Sequence, residues 1–246
     1  MNNLLNKLIK NKQQEIAEKK KKRDFLGVVI HPKVEDISII AEIKLASPSE
    51  GRLGDKNQIE KRAIMYEKSF ADAISVVVDK KYFAGELEFI RLIKNVVSLP
   101  ILAKDFIIDP YQIYEMKTYG ADAILIIAKI SKVNQLVKLV KLSKELNIEP
   151  VVEVQTEQEL ENALNTDTKI IAVNARDLDT FKIDIGMACR LLQRIPQKYV
   201  TLGFSGILGR SEVEKYKKAG AKGVLVGTSL MKAGNIKEYL TSLRAT

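Results

Sequence analysis

The chain has few of the residues on which common catalytic and metal sites depend. Its 246 residues include one cysteine, Cys189, and one histidine, His31. A single cysteine excludes an internal disulfide and a cysteine-rich metal site. A single histidine argues against histidine-based zinc sites and Ser-His-Asp catalysis. Any acid–base chemistry is therefore expected to use Lys, Glu, Asp or Tyr side chains, and we expect no bound metal.

Long apolar segments are also missing. No run of about 18 apolar residues occurs, so the sequence predicts no transmembrane helix and no membrane association. Residues 1–25 lack the continuous apolar core of a signal peptide. From these absences we expect a cytoplasmic protein.

The formal net charge of +9 is concentrated at one end of the chain. Residues 1–24 carry +5 of it, with eight Lys or Arg against three Asp or Glu. The basic run at 19–23 contains no aromatic residue and accompanies no nucleic-acid-binding motif, so we interpret it as a solvated helix face. The mildly basic remainder suits an anionic small-molecule substrate better than a nucleic acid.

Short apolar segments alternate with helical patterns along the chain. We predict strands at 37–44, 73–78, 101–104, 123–128, 150–154, 169–174, 199–203 and 223–226. The predicted helices lie at 58–68, 87–96, 110–119, 132–146, 157–164, 185–194 and 211–219, with a closing helix from 229. Apolar runs without strict alternation are typical of strands buried on both faces. Eight such units favour a closed (β/α)8 barrel, with an open doubly wound sheet as the alternative.

The fold class predicted is therefore α/β, a single TIM-barrel domain that spans residues 1–246. The barrel begins at about residue 37, and residues 1–24 form an extra N-terminal helix. This helix would cover the bottom of the barrel or lie beside its active-site face. Its apolar side consists of Leu4, Leu5, Leu8, Ile9 and Ile16.

Polar residues occur at the carboxyl ends of several predicted strands. Glu42 and Lys44 are two residues apart on the first strand, so both point to the same face. Lys104 ends the third strand, where a buried lysine is unfavourable unless it faces a site. Each residue could instead form a buried salt bridge that only stabilises the barrel. Six of them at corresponding positions favour one catalytic barrel mouth: Glu42, Lys44, Lys104, Glu153, Asn174 and Arg176.

Glycine and serine follow the last two strands, at 203–206 and 227–229. In barrels of this kind, the corresponding loops commonly bind a phosphate through backbone N–H groups. The loop at 47–51, after the first strand, would add a hydroxyl and act as a lid. These positions predict a phosphorylated substrate.

Four segments resemble the indole-3-glycerol phosphate synthase family of tryptophan biosynthesis. They are IAEIKLASPSEG at 40–51, LAKDFIIDPYQIYE at 102–115, VNARDLDTF at 173–181 and VLVGTSLMKAG at 224–234. The resemblance implies a (β/α)8 barrel that uses no cofactor. It also implies a carboxyphenylamino-deoxyribulose phosphate as substrate, which closes to an indole with loss of carbon dioxide and water. We expect a monomer.

The resemblance also implies roles for individual residues. Lys104 matches a general acid that protonates the sugar carbonyl, and Glu153 matches a carboxylate that transfers protons during dehydration. Lys44 matches a lysine that holds the substrate carboxylate, and Glu42 matches its ionic partner. The other implied positions are Asn174, Arg176 and Ser205 for polar groups of the substrate, and Ser47, Gly206, Gly227 and Thr228 for its phosphate. We expect a neighbouring cation and partial burial to lower the pKa of Lys104.

One position departs from the family pattern. Where the family commonly has Ser-Glu-Ser-Gly, this chain has Gly203-Phe204-Ser205-Gly206. We expect a working but slower enzyme, in which Phe204→Glu raises kcat/KM, unless the barrel has repacked around the ring. Two other functions stay open: another phosphate-binding barrel of the same pathway, and a non-enzymatic RNA-associated role suggested by the basic N-terminus and the lost glutamate.

Overall fold

Eight parallel strands form a closed barrel in the computed structural model, which describes residues 2–20, 23–34 and 37–244. Each strand pairs with the next along the chain, and the eighth pairs with the first. The predicted (β/α)8 barrel is thus confirmed. The strands are β1 (Ser38–Ile43), β2 (Ala73–Val77), β3 (Ile101–Lys104), β4 (Ala123–Ile127), β5 (Glu149–Val154), β6 (Ile170–Asn174), β7 (Val200–Phe204) and β8 (Gly223–Val226).

A layer of helices surrounds the barrel. Pro110–Tyr119 shows how the sequence sets their bounds: the Asp109 side chain caps its first turn, and Gly120 ends it with a left-handed φ of +97°. The helices that surround the strands or follow them are Ile59–Lys68, Lys80–Phe83, Glu88–Val96, Pro110–Tyr119, Val133–Glu145, Glu157–Leu164, Ile185–Leu192, Arg210–Lys218, Thr228–Lys232 and Ile236–Arg244.

Three local features differ from the predicted pattern. A short hairpin, Ala46–Ser47 with Gly51–Arg52, follows β1 and holds the predicted lid loop. An additional short helix, Lys80–Phe83, precedes Glu88–Val96. The single closing helix predicted from residue 229 is wrong, because Thr228–Lys232 and Ile236–Arg244 are separate helices.

The strands are buried on both faces. Outward side chains such as Ile39 and Ile43 pack against the helix layer, and inward side chains such as Ile40, Leu102 and Leu202 fill the barrel interior. This double burial explains why the strand sequences do not alternate between apolar and polar residues.

A helix that the sequence pattern did not predict, Phe25–Ile30, closes the bottom of the barrel. Phe25 and Val29 are buried and belong to the cluster that fills the barrel interior. Arg23 anchors the segment: its backbone N–H donates to Asp122 Oδ1 at 2.9 Å, and its guanidinium donates to the carbonyls of Lys94 and Leu99, each at 2.8 Å. Arg23 therefore does not belong to a solvated basic face.

The predicted N-terminal helix is present as Asn2–Lys20. Its apolar side does not add to the barrel core, because Leu4, Leu5, Leu8 and Ile9 are 67%, 62%, 55% and 46% exposed. The side chain of Ile16, the fifth predicted apolar residue, lies outside the part of the chain that the structure describes.

Nowhere in the described residues is a helix both long enough and apolar enough to cross a bilayer.

Candidate functional site

A cavity of about 690 Å³ opens at the carboxyl ends of the strands. This volume is in the usual range for a small-molecule site. All eleven residues that the strand ends and the family resemblance proposed for the site line the cavity. They are Glu42, Lys44, Ser47, Lys104, Glu153, Asn174, Arg176, Ser205, Gly206, Gly227 and Thr228.

The carboxylate of Glu42 joins the two lysines of the site. Its Oε1 lies 3.0 Å from Lys44 Nζ, and its Oε2 lies 3.1 Å from Lys104 Nζ. Burial alone would raise the pKa of Glu42, but the two ammonium groups outweigh burial and lower it to about 2. Gly227 makes room for this carboxylate, because a Cβ there would lie 2.3 Å from Oε1.

Lys104 is a firmly protonated cation. Burial works to lower its pKa, but attraction to Glu42 and Glu153 is stronger, and the net pKa lies above its ordinary value. The expectation of a lowered pKa is therefore wrong, since that expectation left out the two carboxylates. Below the ammonium lies Phe204, whose ring centroid is 5.3 Å from Nζ.

Glu153 is a buried carboxyl group with one free oxygen. Its Oε1 accepts a hydrogen bond from Asn174 Nδ2 at 3.0 Å, whereas Oε2 is buried and has no partner among the described residues. Burial raises the pKa of Glu153, although Lys104 and Asn174 act against this shift. A carboxyl group that binds a proton readily and has an unused oxygen is suited to proton transfer.

Asn174 and Arg176 are held by the loop that follows β6. The Arg176 backbone N–H donates to Asn174 Oδ1 at 3.0 Å, and the Arg176 guanidinium donates to the Phe181 carbonyl at 3.2 Å. Gln155 donates its side-chain N–H to the Arg176 carbonyl. Gln155 was not predicted from the sequence, although its place directly after the buried end of β5 could have indicated it.

Two loops at the rim border the predicted phosphate site. Ser47 Oγ accepts a hydrogen bond from the Glu50 backbone N–H at 3.2 Å, and Glu50 in turn forms an ion pair of 2.5 Å with Lys232. The predicted lid loop is thus joined to the helix Thr228–Lys232. On the other side, Ser229 Oγ donates to the Ile207 carbonyl at 2.8 Å.

An apolar wall that the sequence patterns did not predict also lines the cavity. Its signal was present as large apolar residues at or shortly after the strand ends, where exposed segments are usually polar. An aromatic substrate portion would pack against this wall while the lysines bind anionic groups. The wall consists of Tyr82, Phe83, Phe106, Ile127, Leu178, Phe181, Ile183, Ile207 and Leu208.

Phe204 lies beneath the cavity and does not line it. Its side chain is 1% exposed and packs within the cluster that fills the barrel interior. Of the two outcomes left open by the sequence, repacking around the ring agrees with this placement.

In the described part of the chain, no three His, Cys, Asp or Glu side chains are grouped in a way that would hold a metal ion.

Comparisons with known proteins show the family of the chain. A family model described as indole-3-glycerol phosphate synthase matches residues 3–243. An indole-3-glycerol phosphate synthase from Caldanaerobacter subterraneus subsp. tengcongensis is 37% identical over 98% of this chain and 99% of its own length. Another from Aquifex aeolicus is 44% identical over 83% of this chain and 80% of its own length.

Solved structures show the same fold at much lower identity. A 3-hexulose-6-phosphate synthase superposes with a TM-score of 0.67 at 14% identity, over 85% of this chain and 99% of that one. A chain of the tryptophan synthase complex from Pyrococcus furiosus has a TM-score of 0.63 at 18% identity, over 85% of this chain and 98% of its own. Both similarities support the barrel architecture alone.

Proposed function

Because the chain belongs to the indole-3-glycerol phosphate synthase family, we propose that its barrel mouth carries out the family reaction with the residues described above. The enzyme is a carboxy-lyase of tryptophan biosynthesis. Its substrate is 1-(2-carboxyphenylamino)-1-deoxyribulose 5-phosphate. A ring carbon bonds to the sugar carbonyl carbon, the ring carboxylate leaves as carbon dioxide, and the former carbonyl oxygen leaves as water.

Binding uses cations at one part of the cavity and the apolar wall at another. Lys44 holds the substrate carboxylate, and Asn174 and Arg176 orient the polar groups of the sugar. The phosphate lies between Ser47 and the loops that contain Ser205, Gly206, Gly227 and Thr228. This arrangement stretches the substrate across the barrel mouth and presses its aromatic ring against the apolar wall.

Lys104 supplies the proton for ring closure. As the aromatic carbon attacks, negative charge develops on the carbonyl oxygen, and the ammonium stabilises and then protonates it. The raised pKa keeps Lys104 protonated at neutral pH, so a positive charge faces the developing oxyanion. Glu42 holds the ammonium in place by the 3.1 Å ion pair.

Glu153 transfers protons during the loss of water. Burial raises the pKa of Glu153 and so favours its protonated form, and Oε2 is buried without a hydrogen-bond partner among the described residues. Asn174 fixes the orientation of the carboxyl group through Oε1. One observation carries the proposal. The same cavity contains the Lys104 ammonium, which an ion pair with Glu42 holds in place, and the Glu153 carboxyl group, which has an unpaired oxygen.

The test is Lys104→Ala, assayed by indole fluorescence with the synthetic substrate. We expect the variant to fold and bind substrate but to lose most of its kcat, because the proton is needed chiefly in the transition state. Lys94→Ala is a matched control: its ammonium pairs with buried Asp122 at the other end of the barrel, and the two lysine side chains are 21% and 20% exposed. Near-normal kcat in Lys104→Ala would contradict the assigned role.

We also propose that residues 1–246 form one domain that acts as a monomer in the cytoplasm. The molar mass measured by light scattering at assay concentrations tests whether the protein is a monomer. Arg23, one of the basic residues that suggested the RNA-associated alternative, is engaged with backbone carbonyls of the barrel.

A further inference from the structure

The loop after β7 has a backbone conformation that needs support. Ser205 has a φ of +68°, and Gly206 follows it with a φ of +77°. The left-handed region is unfavourable for a residue with a side chain, so Ser205 would leave it without a compensating interaction. Both residues line the cavity at the proposed phosphate position.

Tyr216 supplies that interaction from the helix Arg210–Lys218. Its side chain is fully buried, and its hydroxyl lies 2.9 Å from the Phe204 carbonyl and 3.0 Å from the Ser205 carbonyl. Burial raises the pKa of Tyr216, so the hydroxyl stays a hydrogen-bond donor at every working pH.

The direction of the Ser205 carbonyl decides where the next amide points. In a trans peptide, the C=O and the following N–H point in opposite directions. The Phe204 carbonyl also accepts from the Ala175 N–H at 2.9 Å and therefore belongs to the sheet ladder. Because Tyr216 draws the Ser205 carbonyl toward the helix layer, the N–H of Gly206 is turned away from that layer, toward the cavity. Ser229 holds the Ile207 carbonyl at 2.8 Å and orients the next peptide in a similar way.

Gly203 makes this arrangement possible. A Cβ at residue 203 would lie 2.2 Å from Cδ1 of Tyr216, so the tyrosine ring occupies the space of any larger residue there. Gly203 and Tyr216 therefore form a matched pair. The pair explains a glycine inside β7 that is not required by a turn.

We propose that Tyr216 is a positioning residue for the phosphate group of the substrate. Its hydroxyl holds the Ser205 carbonyl so that the Gly206 amide faces the anion, although Tyr216 itself does not touch the substrate. The inference rests on the proposed function, since it takes the phosphate to lie at this loop.

The test is Tyr216→Phe, which removes a single oxygen atom. We expect the dissociation constant for inorganic phosphate, measured by calorimetry, to rise about tenfold, the effect of one hydrogen bond. The preference in kcat/KM for the phosphorylated substrate over its 5′-hydroxyl analogue should fall by a similar factor. Gly203→Ala combined with Tyr216→Leu fills the same space without a hydroxyl and should show the same loss.

Thr168→Val is the matched control. In the wild type, the buried Thr168 hydroxyl also contacts two carbonyls, those of Pro150 at 2.9 Å and Ile170 at 3.0 Å, but at the opposite end of the barrel. We expect it to lower stability without changing phosphate affinity. Unchanged phosphate affinity in both variants that lack the Tyr216 hydroxyl would overturn the inference alone. A wild-type protein that does not bind phosphate would refute the proposed phosphate site as well.

Discussion

Replacing Glu42 by glutamine removes the charge that joins Lys44 and Lys104 while keeping the shape of the side chain. The wild-type carboxylate is buried and lies 3.0 and 3.1 Å from the two ammonium groups. In Glu42→Gln, both cations keep their burial but lose their common partner. We therefore expect a change in stability and a change in the titration of Lys104.

The size of the stability change follows from the pKa of Glu42. The folded protein lowers this pKa from 4.5 to about 2. A lowering of this size corresponds to roughly 3 kcal/mol of native-state stabilisation at neutral pH. For a domain of this length, that loss lowers Tm by roughly 6–12 °C.

The sign of the pH dependence is also determined. Because the folded pKa is lowered, the contribution of Glu42 is fully present above the unfolded pKa of 4.5 and is lost as the pH falls toward 2. The difference in unfolding free energy between wild type and Glu42→Gln should therefore be constant from pH 7 to about pH 5 and narrow below it.

The catalytic effect concerns the alkaline side of the pH profile. Glu42 is the strongest of the groups that raise the pKa of Lys104, and burial opposes them. Without Glu42, less attraction opposes the effect of burial, so the pKa of Lys104 falls. The alkaline limb of the kcat profile then moves to lower pH.

Urea unfolding across this pH range and a kcat profile with the synthetic substrate measure both effects. Glu88→Gln is a suitable control, because Glu88 pairs with Arg91 at 3.0 Å on an exposed helix surface. Exposed pairs of this kind contribute about 1 kcal/mol or less. A Glu42→Gln protein as stable as wild type at pH 7, with an unchanged alkaline limb, would refute the reasoning.

Three further substitutions test the site. Glu153→Gln should lower kcat by about a hundredfold or more, the usual effect of losing an acid–base group, and activity within a few-fold of wild type would transfer that role to another group. Phe204→Glu should lower stability, as core substitutions of phenylalanine do by roughly 3–5 kcal/mol. It should not raise kcat/KM, because the ring lies below the cavity, and a tenfold gain measured with the same assay would restore the sequence-based expectation. Gly227→Ala should reduce kcat/KM at least about tenfold, since displacing the Glu42 carboxylate loses a charged interaction worth about 1.5–3 kcal/mol. Unchanged kinetics in this variant would show that the carboxylate moves without effect on catalysis.

Much of the architecture follows from local sequence patterns. Strands buried on both faces appear as short apolar runs, and the cap at Asp109 and the left-handed Gly120 mark the ends of one helix without any tertiary contact. Because parallel strands bring their carboxyl ends to the same mouth, counting to the last residues of each strand was enough to place Lys104, Glu153 and Asn174 together.

Other properties depend on contacts between residues far apart in the chain. The pKa of Lys104 rises because Glu42 and Glu153 approach it across the barrel, a sum of electrostatic effects that no local pattern contains. Phe204 looked like a damaged substrate contact in the sequence, whereas packing places its ring in the barrel interior.

The sequence by itself determined the alternation of strands and helices along the chain and the ends at which the polar residues stand, because apolar periodicity and helix caps are local. Only the tertiary structure decided that Phe25–Ile30 closes the barrel bottom and that Gly203 makes room for Tyr216. Those outcomes depend on which volumes and charges meet in three dimensions, and close packing allows only one occupant for each space.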